Sequence, residues 1–366
     1  MSNLTEQPKT GLNPPPAGFR ALQVVGTTAL TEDSREIEFA VPADAADLFA
    51  FLPGQHLTLH LPSRAMTERR TYSICSGRSE GSLRIGVRRI PGGALSPYLV
   101  DELEVGDIIH VHPPAGVFVA KPDPVRNAVY GAVASGSGIT PILSITRTLL
   151  AEEPNSSVVL AYGNRDTSSV MFLEELADLK DRYPGRLVVH HFLSRERRGT
   201  SLDQRIEAGQ LLPLFDALGG APAVDAWYLC GPQEMVRGVH EGLANSGVDE
   251  HNIHTESFHT ADTPRAPRPA PDDAGAHRVR AQLAGRESVV EVREGEFILD
   301  AVLRSRPEVP FACQKGVCGT CRARVTEGRA EMAANYALEQ DDVDAGYILT
   351  CTSVPRGPGL ELDFDA

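Results

Sequence analysis

Four cysteines near the C-terminus restrict this chain more than any other feature. Cys313, Cys318 and Cys321 are spaced C-x4-C-x2-C, and 29 residues separate Cys321 from Cys351. That is the ligand spacing of plant-type [2Fe–2S] clusters, whose four thiolates hold two irons. A loop that wraps an inorganic core must bring its backbone close to sulfur. The run FACQKGVCGTC suits this, with small residues at Ala312, Gly316, Gly319 and Thr320. The spacing implies an electron carrier. A structural zinc site or disulfides are the alternatives, but zinc ribbons usually pair two C-x-x-C knuckles and only Cys318 and Cys321 form one here.

The chain has 366 residues, too many for one ordinary core, and reads as three domains. Cys75 and Cys230, the cysteines outside the quartet, supply no disulfide framework, which fits a reducing cytoplasm. The polar, proline-rich start MSNLTEQPKTGLNPPPAGF has no apolar stretch of the kind that signals or spans a membrane. A formal net charge of −14 argues against a general binder of nucleic acid or of membrane surfaces, since both need a basic face.

Residues 18–122 carry short alternating runs such as HLTLHL, TYSICS and LRIGVRRI, punctuated by Gly and Pro, and predict an antiparallel β-barrel. In residues 123–260 the runs AVYGAVA, SVVLAYG, RLVVHHFL, AWYLCG and NIHTESF alternate with helix-like stretches, which predicts a doubly wound parallel α/β domain. Residues 261–276 are proline-rich without large apolar side chains and read as a linker. In residues 277–366 a hairpin and an amphipathic helix, GEFILDAVLRSR, precede the cysteine loop.

Several short motifs carry chemistry. In VYGAVASGSGITPILSI, a strand, Gly136 and Gly138, and a helix starting near Thr140–Pro141 would aim backbone N–H groups at a pyrophosphate. YLCGP, Tyr228 to Pro232, ends a strand where open α/β sheets place their ligand crevice; Cys230 there otherwise reads as a small buried hydrophobe. Arg70-Thr71-Tyr72-Ser73 offers a phosphate partner, an aromatic face and a hydroxyl for a flavin ring. Gly92-Gly93-Ala94-Leu95-Ser96 provides a turn and helix start for a second phosphate contact.

In that order R-x-Y-S, G-x-x-S, G-S-G-I-T-P, C-G-P and E-S-F, followed by the cysteine set, resemble the ferredoxin–NADP reductase superfamily with a C-terminal ferredoxin domain of β-grasp, α+β fold. The resemblance implies that Arg70, Tyr72 and Ser73 hold FAD and that Gly93 and Ser96 help bind its pyrophosphate. By the same likeness Gly136, Gly138, Thr140 and Pro141 cradle the nicotinamide nucleotide beside Gly231 and Pro232, Cys230 lies near the reactive nicotinamide carbon, and Glu256 and Phe258 close over the flavin. Ser73, Cys230 and Glu256 are the implied catalytic set. The stretch YGNRDTSSVMFLEELADLKDRYPGRL, with RTYSICS, is similar to the reductase subunits of phenylacetyl-CoA epoxidases. Reductases of steroid 9α-hydroxylases share the domain order. The implied acceptor is a separate oxygenase component with a di-iron centre.

The expected activity is NAD(P)H-dependent reduction through FAD and a [2Fe–2S] cluster, the rival being a non-enzymatic redox sensor. His190 and His191 read as core or surface residues, because metals and triads need more partners than these two supply. The acidic stretch Glu339, Asp341, Asp342 and Asp344 is a candidate docking face for the oxygenase, with a solvated charged turn as the alternative. At the end of the third strand of the α/β domain, HHFLSRERRGTS clusters basic residues where the adenosine ribose is read, favouring NADPH over NADH. The resemblance carries the 2′-phosphate contact to Ser194 and Arg195, with Arg198 secondary and Glu196 as counter-evidence.

Overall fold

The computed structural model describes residues 14–16, 18–61, 69–93, 95–197, 199–258, 267, 276–338 and 340–366. The expected linker, apart from residues 267 and 276, lies outside the described residues, as do Arg198 and Glu339.

Alternating side chains build the first domain. β1 (Arg20–Thr31), β2 (Ser34–Ala40), β3 (His56–His60), β4 (Arg69–Ser73), β5 (Leu83–Arg88) and β6 (Ile108–Ala115) form an antiparallel sheet ordered β4-β3-β6-β1-β2-β5. A bridge between Ile74 and Ile85 joins its two edges and closes the barrel. Every second residue points inward: Leu22 and Val24, Ile37 and Phe39, Leu57 and Leu59, Ile85 and Val87, Ile109 and Val111 are all buried in one core. The short helix α1 (Ser96–Asp101) follows the Gly92–Gly93 turn.

The second domain is the expected doubly wound sheet. β7 (Val129–Ser135), β8 (Ser157–Asn164), β9 (Leu187–Leu193), β10 (Ala226–Pro232) and β11 (Ile253–Phe258) run parallel in the order β11-β10-β7-β8-β9. The chain winds outward from β7 to β9, then returns to start β10 on the other side of β7. The strand order therefore reverses between β7 and β10, where such sheets open a ligand crevice. Helices α2 (Ile139–Glu152) and α3 (Leu173–Arg182) share a core with one sheet face. The other face, with Trp227 and Leu229, packs with α4 (Ala208–Leu211), a 3₁₀ turn at Leu212–Leu218, and α5 (Gln233–Asn245).

Helix α2 also fastens this domain to the barrel. Ser144 Oγ donates to Ser76 O at 2.7 Å, Arg78 N–H donates to Thr148 Oγ1 at 3.0 Å, and Arg147 donates to Cys75 O at 3.2 Å while pairing with Glu175. These bonds satisfy backbone groups just after β4, and so fix the Ser73 end of that strand against the nucleotide domain.

The third domain combines β12 (His277–Leu283), β13 (Arg286–Val292), β14 (Arg322–Glu327), β16 (Tyr347–Leu349) and β18 (Leu360–Asp363) in the order β13-β12-β18-β14-β16. β15 (Ala330–Met332) pairs with β17 (Ser353–Pro355), and α6 (Ile298–Ser305) buries Ile298, Leu299 and Val302 in the domain core. The helix α7 (Gln340–Asp344) carries Asp341, Asp342 and Asp344 of the acidic stretch, and these three are engaged within the molecule. Asp341 lies 3.4 Å from His251 Nε2 of the second domain, Asp342 3.5 Å from Arg322 Nη2, and Asp344 accepts from Gln340. Among the described residues no helix is long and apolar enough to cross a membrane.

Candidate functional site

The cysteine loop connects α6 to β14 and turns sharply, with Gln314, Gly316 and Gly319 all left-handed at φ 55°, 79° and 67°. Gly316 has a second reason to lack a side chain: a Cβ there would sit 2.9 Å from Ala334 O. Cys321 and Cys351 are buried, Cys313 and Cys318 partly so, and none is in a disulfide. Lys315 N–H donates to Cys313 Sγ at 3.3 Å, and Cys313 also interacts with the Cys318 and Cys351 thiols. Those two thiols hold Cys313 well below the ordinary thiol range, and the same contact drives Cys318 and Cys351 up. Four crowded thiols with a backbone N–H aimed at sulfur form a donor set that fits a [2Fe–2S] core. Among the described residues no three or more His, Cys, Asp or Glu side chains form a site for a single metal ion. A two-iron core asks less convergence, because its four thiolates are shared between two irons.

At the switch point, the turn Gly136–Gly138 leads from β7 into α2. Gly136 is left-handed at φ 56°, its carbonyl accepting from Tyr162 OH at 3.1 Å. Gly138 lies so close to β10 that an added Cβ would be 2.4 Å from Cys230 O. Thr140 and Pro141 are buried, and the Thr140 hydroxyl donates to Ser137 O at 3.0 Å. They shape the turn from beneath. The more accessible positions belong to Gly136 and Ser137, beside the N-terminus of α2. Gly231, at φ 157°, and the exposed Pro232 finish β10 on the same rim.

Three residues from separate segments meet below that rim. Cys230 and Glu256 are register partners on β10 and β11, and Glu256 Oε2 lies 3.8 Å from Cys230 Sγ and 3.5 Å from Ser73 Oγ at the end of β4. Burial pushes the Glu256 carboxyl up to about 8, against the two hydrogen bonds, and drives the Cys230 thiol well above its usual range. At neutral pH Glu256 is therefore mostly protonated, a donor as well as an acceptor. Glu256 also lines a cleft of about 240 Å³, counting space open to solvent, together with Phe118 of the first domain and Val317, Cys318 and Tyr336 of the third.

A raised carboxyl favours the native state when protonated, so its contribution is full below about pH 4.5 and is lost as pH climbs through about 8. Glu256→Gln should remove that slope. Urea titrations at about pH 5 and about pH 9 should show the variant gaining about 1–3 kcal/mol over wild type at the higher pH, discounted for solvent reaching the half-buried carboxyl. Parallel pH profiles for the two proteins would count against it.

The remaining sequence candidates are nearby but differ in exposure. Arg70 is exposed and donates to Arg69 O, and Tyr72 is half-buried against the barrel core with its phenol pushed up by burial. Ser96 is buried, its hydroxyl accepting from Ile90 N–H at 3.0 Å, while Gly93 N–H donates to Ile90 O. Phe258 ends β11 half-buried beside Pro232. Ser194 follows β9, with N–H donating to Asn164 O, and Arg195 is exposed. Sequence reading missed Arg88. Its guanidinium bonds Asp33 at 3.1 Å and Ser169 O at 2.6 Å and comes within 3.3 Å of where a Cβ of Gly136 would be. Nothing in VRRI sets it apart from Arg89, because only the tertiary fold carries β5 to the Gly136 turn.

Comparison with known proteins follows the same division. Residues 21–119 match the oxidoreductase FAD-binding domain, 132–241 the oxidoreductase NAD-binding domain and 281–356 the 2Fe-2S iron-sulfur cluster binding domain. The chain is 38% identical over 350 residues to a component of the 1,2-phenylacetyl-CoA epoxidase of Escherichia coli K12, covering 95% of this chain and 98% of that protein. It is 35% identical over 362 residues to the ferredoxin reductase component of 3-ketosteroid-9-alpha-monooxygenase of Rhodococcus rhodochrous, with coverage of 95% and 98%. A solved phthalate dioxygenase reductase superposes with a TM-score of 0.57 at 27% identity, covering 94% of this chain and 98% of that one. With three domains in this order, a cysteine loop suited to two irons and this similarity along its length, the chain belongs to the family of oxygenase reductases that use FAD, a nicotinamide nucleotide and a [2Fe–2S] cluster.

Proposed function

We propose that this reductase takes its electrons from NADPH and serves an oxygenase of the phenylacetyl-CoA epoxidase type, a di-iron component, in the cytoplasm. The observation that carries the proposal is the meeting of Ser73 and Cys230 at Glu256, which lines one cleft with Cys318 and so brings the nucleotide and cluster sides together. FAD, when bound, accepts the electron pair of a hydride, and the cluster passes electrons on singly. The chain's residues do the rest. Arg70, Tyr72 and Ser73 would hold the flavin, with the Gly93–Ser96 segment toward its phosphates and Phe258 beside Pro232 at the end of β11. The Gly136–Gly138 turn and the Gly231–Pro232 rim would seat the nucleotide, with Cys230 beneath that rim against Glu256. Glu256 holds a proton between Ser73 and Cys230, so no ionised carboxylate stands against the electron-rich ring.

Similarity to the epoxidase component over 350 residues supports that partner; the 35% identity to the steroid monooxygenase component keeps a steroid oxygenase as a second reading. NADPH consumption coupled to product, measured with each oxygenase in turn, separates them. Coenzyme choice rests on Ser194 and Arg195. Glu196 is already committed, its carboxylate accepting from Thr167 N–H and, at 3.1 Å, from the Thr167 hydroxyl. A carboxylate so held leaves the basic residues to meet a 2′-phosphate. Arg195→Ala should lower kcat/KM with NADPH roughly ten- to a hundredfold, the worth of a hydrogen bond to a charged group, and leave NADH little changed. Equal losses with both coenzymes would make Arg195 structural.

A further inference from the structure

We propose that His56 and Thr320 form a latch that seats the cluster loop on the flavin barrel, making His56 a positioning residue for electron passage between the two centres. This rests on reading the chain as a two-cofactor reductase. His56 Nε2 lies 3.1 Å from Thr320 Oγ1, and both residues are buried, at 2% and 8% exposure, although they belong to the first and third domains. Thr320 is flanked by Gly319 and the ligand Cys321, so the bond acts on the loop itself. The imidazole has little freedom. A Cβ on Gly116, which is left-handed at φ 116° and lines the same cleft as Cys318, would be 2.9 Å from His56 Nδ1.

The neighbouring strand β4 holds the other end of the loop. Arg69 stacks its guanidinium over Phe311, two residues before Cys313, at 4.2 Å from the ring centre, with Phe19 of the barrel 4.9 Å away. In the β3–β4 register His56 lies opposite Ser73 and His60 opposite Arg69, so these four residues share one face of the hairpin. One antiparallel strand pair thus presents Ser73 to Glu256 and contacts the cysteine loop at both Phe311 and Thr320. Electron tunnelling falls steeply with distance, so a latch that holds the loop at the barrel governs transfer without touching hydride chemistry.

The test uses the holoenzyme mixed anaerobically with NADPH in a stopped-flow instrument, following flavin and cluster absorbance separately. His56→Ala should leave flavin bleaching at the wild-type rate and slow cluster bleaching roughly tenfold, the effect of losing a buried hydrogen bond that joins the two domains. His56→Gln, whose amide can reach the hydroxyl, should recover most of the rate. Thr320→Val should reproduce the alanine defect at full iron content, and the double variant should add nothing further. Small-angle X-ray scattering should show a larger radius of gyration for His56→Ala than for wild type. Unchanged cluster bleaching with unchanged scattering would overturn the latch, as would equal slowing of both phases, which would mark His56 as a residue of the barrel fold. Wild-type protein that fails to bleach its flavin with NADPH would defeat the reductase reading instead, leaving the latch to be decided by scattering.

Discussion

Cys318→Ser should lose its iron and its ability to reduce the oxygenase, yet still oxidise NADPH with ferricyanide. The reason lies in how the two activities divide over the structure. Cys318 is one of four thiols crowded around a loop of the third domain, whereas the Ser73–Cys230–Glu256 meeting belongs to the barrel and the nucleotide sheet. Serine replaces a soft sulfur ligand with a hard hydroxyl, and losing even a residue that merely orients a ligand costs about 10–100-fold in metal affinity. Removing the ligand itself costs more, so oxygenase reduction should fall by more than about a hundredfold. Ferricyanide can take electrons at the flavin and needs no cluster. Iron and sulfide content, the visible spectrum and the two assays together check this. Wild-type iron in the variant would remove Cys318 from the ligand set, and loss of ferricyanide reduction would show that the third domain supports the fold of the other two.

What could be read in the sequence follows from range. The cysteine spacing can be read directly from the sequence, so a candidate ligand set was legible there, as were the strand HLTLHL, where Leu57 and Leu59 alternate with polar residues, and β7, a continuous apolar run buried on both faces. The segment between β9 and β10 was not. α4 is four residues long and continues as a 3₁₀ turn containing Pro213 before Gly219 and Gly220, too short a stretch for a 3.6-residue period to register. The three-residue strands β15 and β17 are silent for the same reason. Within the site, residue types were legible but their exposure was not. Thr140 and Ser96 look like ligands to a phosphate in the sequence, yet both hydroxyls are engaged locally, one on Ser137 O and one on Ile90 N–H. Contacts across domains leave no local trace, and Arg88 beside Gly136, Arg69 on Phe311 and His56 on Thr320 are all of this kind.

The nucleotide turn offers a sharper test, because its two glycines are required for different reasons. Gly136 needs its left-handed backbone, but the nearest atom to an added Cβ is the tip of Arg88 at 3.3 Å, a flexible group that can move. Gly136→Ala should therefore cost about 1–2 kcal/mol of backbone strain and little more. Gly138 has an ordinary helical φ of −61°, and its constraint is space. A Cβ there would meet Cys230 O at 2.4 Å, Cys230 C at 2.7 Å and Gly231 N at 2.9 Å, all backbone atoms of a central strand. Those atoms cannot yield without moving β10, whose neighbours β7 and β11 hold it on both sides. The turn must lift instead, carrying the N-terminus of α2 away from the crevice and disturbing Cys230 against Glu256. Overpacking of this sort costs about 1–3 kcal/mol in stability. Gly138→Ala should lower kcat/KM about a hundredfold, because misplacing binding groups by about 1 Å has effects of that size. The loss should be equal for NADPH and NADH, since the displaced groups serve the part the coenzymes share, in contrast to Arg195→Ala. Urea unfolding and steady-state kinetics with both coenzymes check it, and wild-type kcat/KM in Gly138→Ala would show that the turn seats no nucleotide.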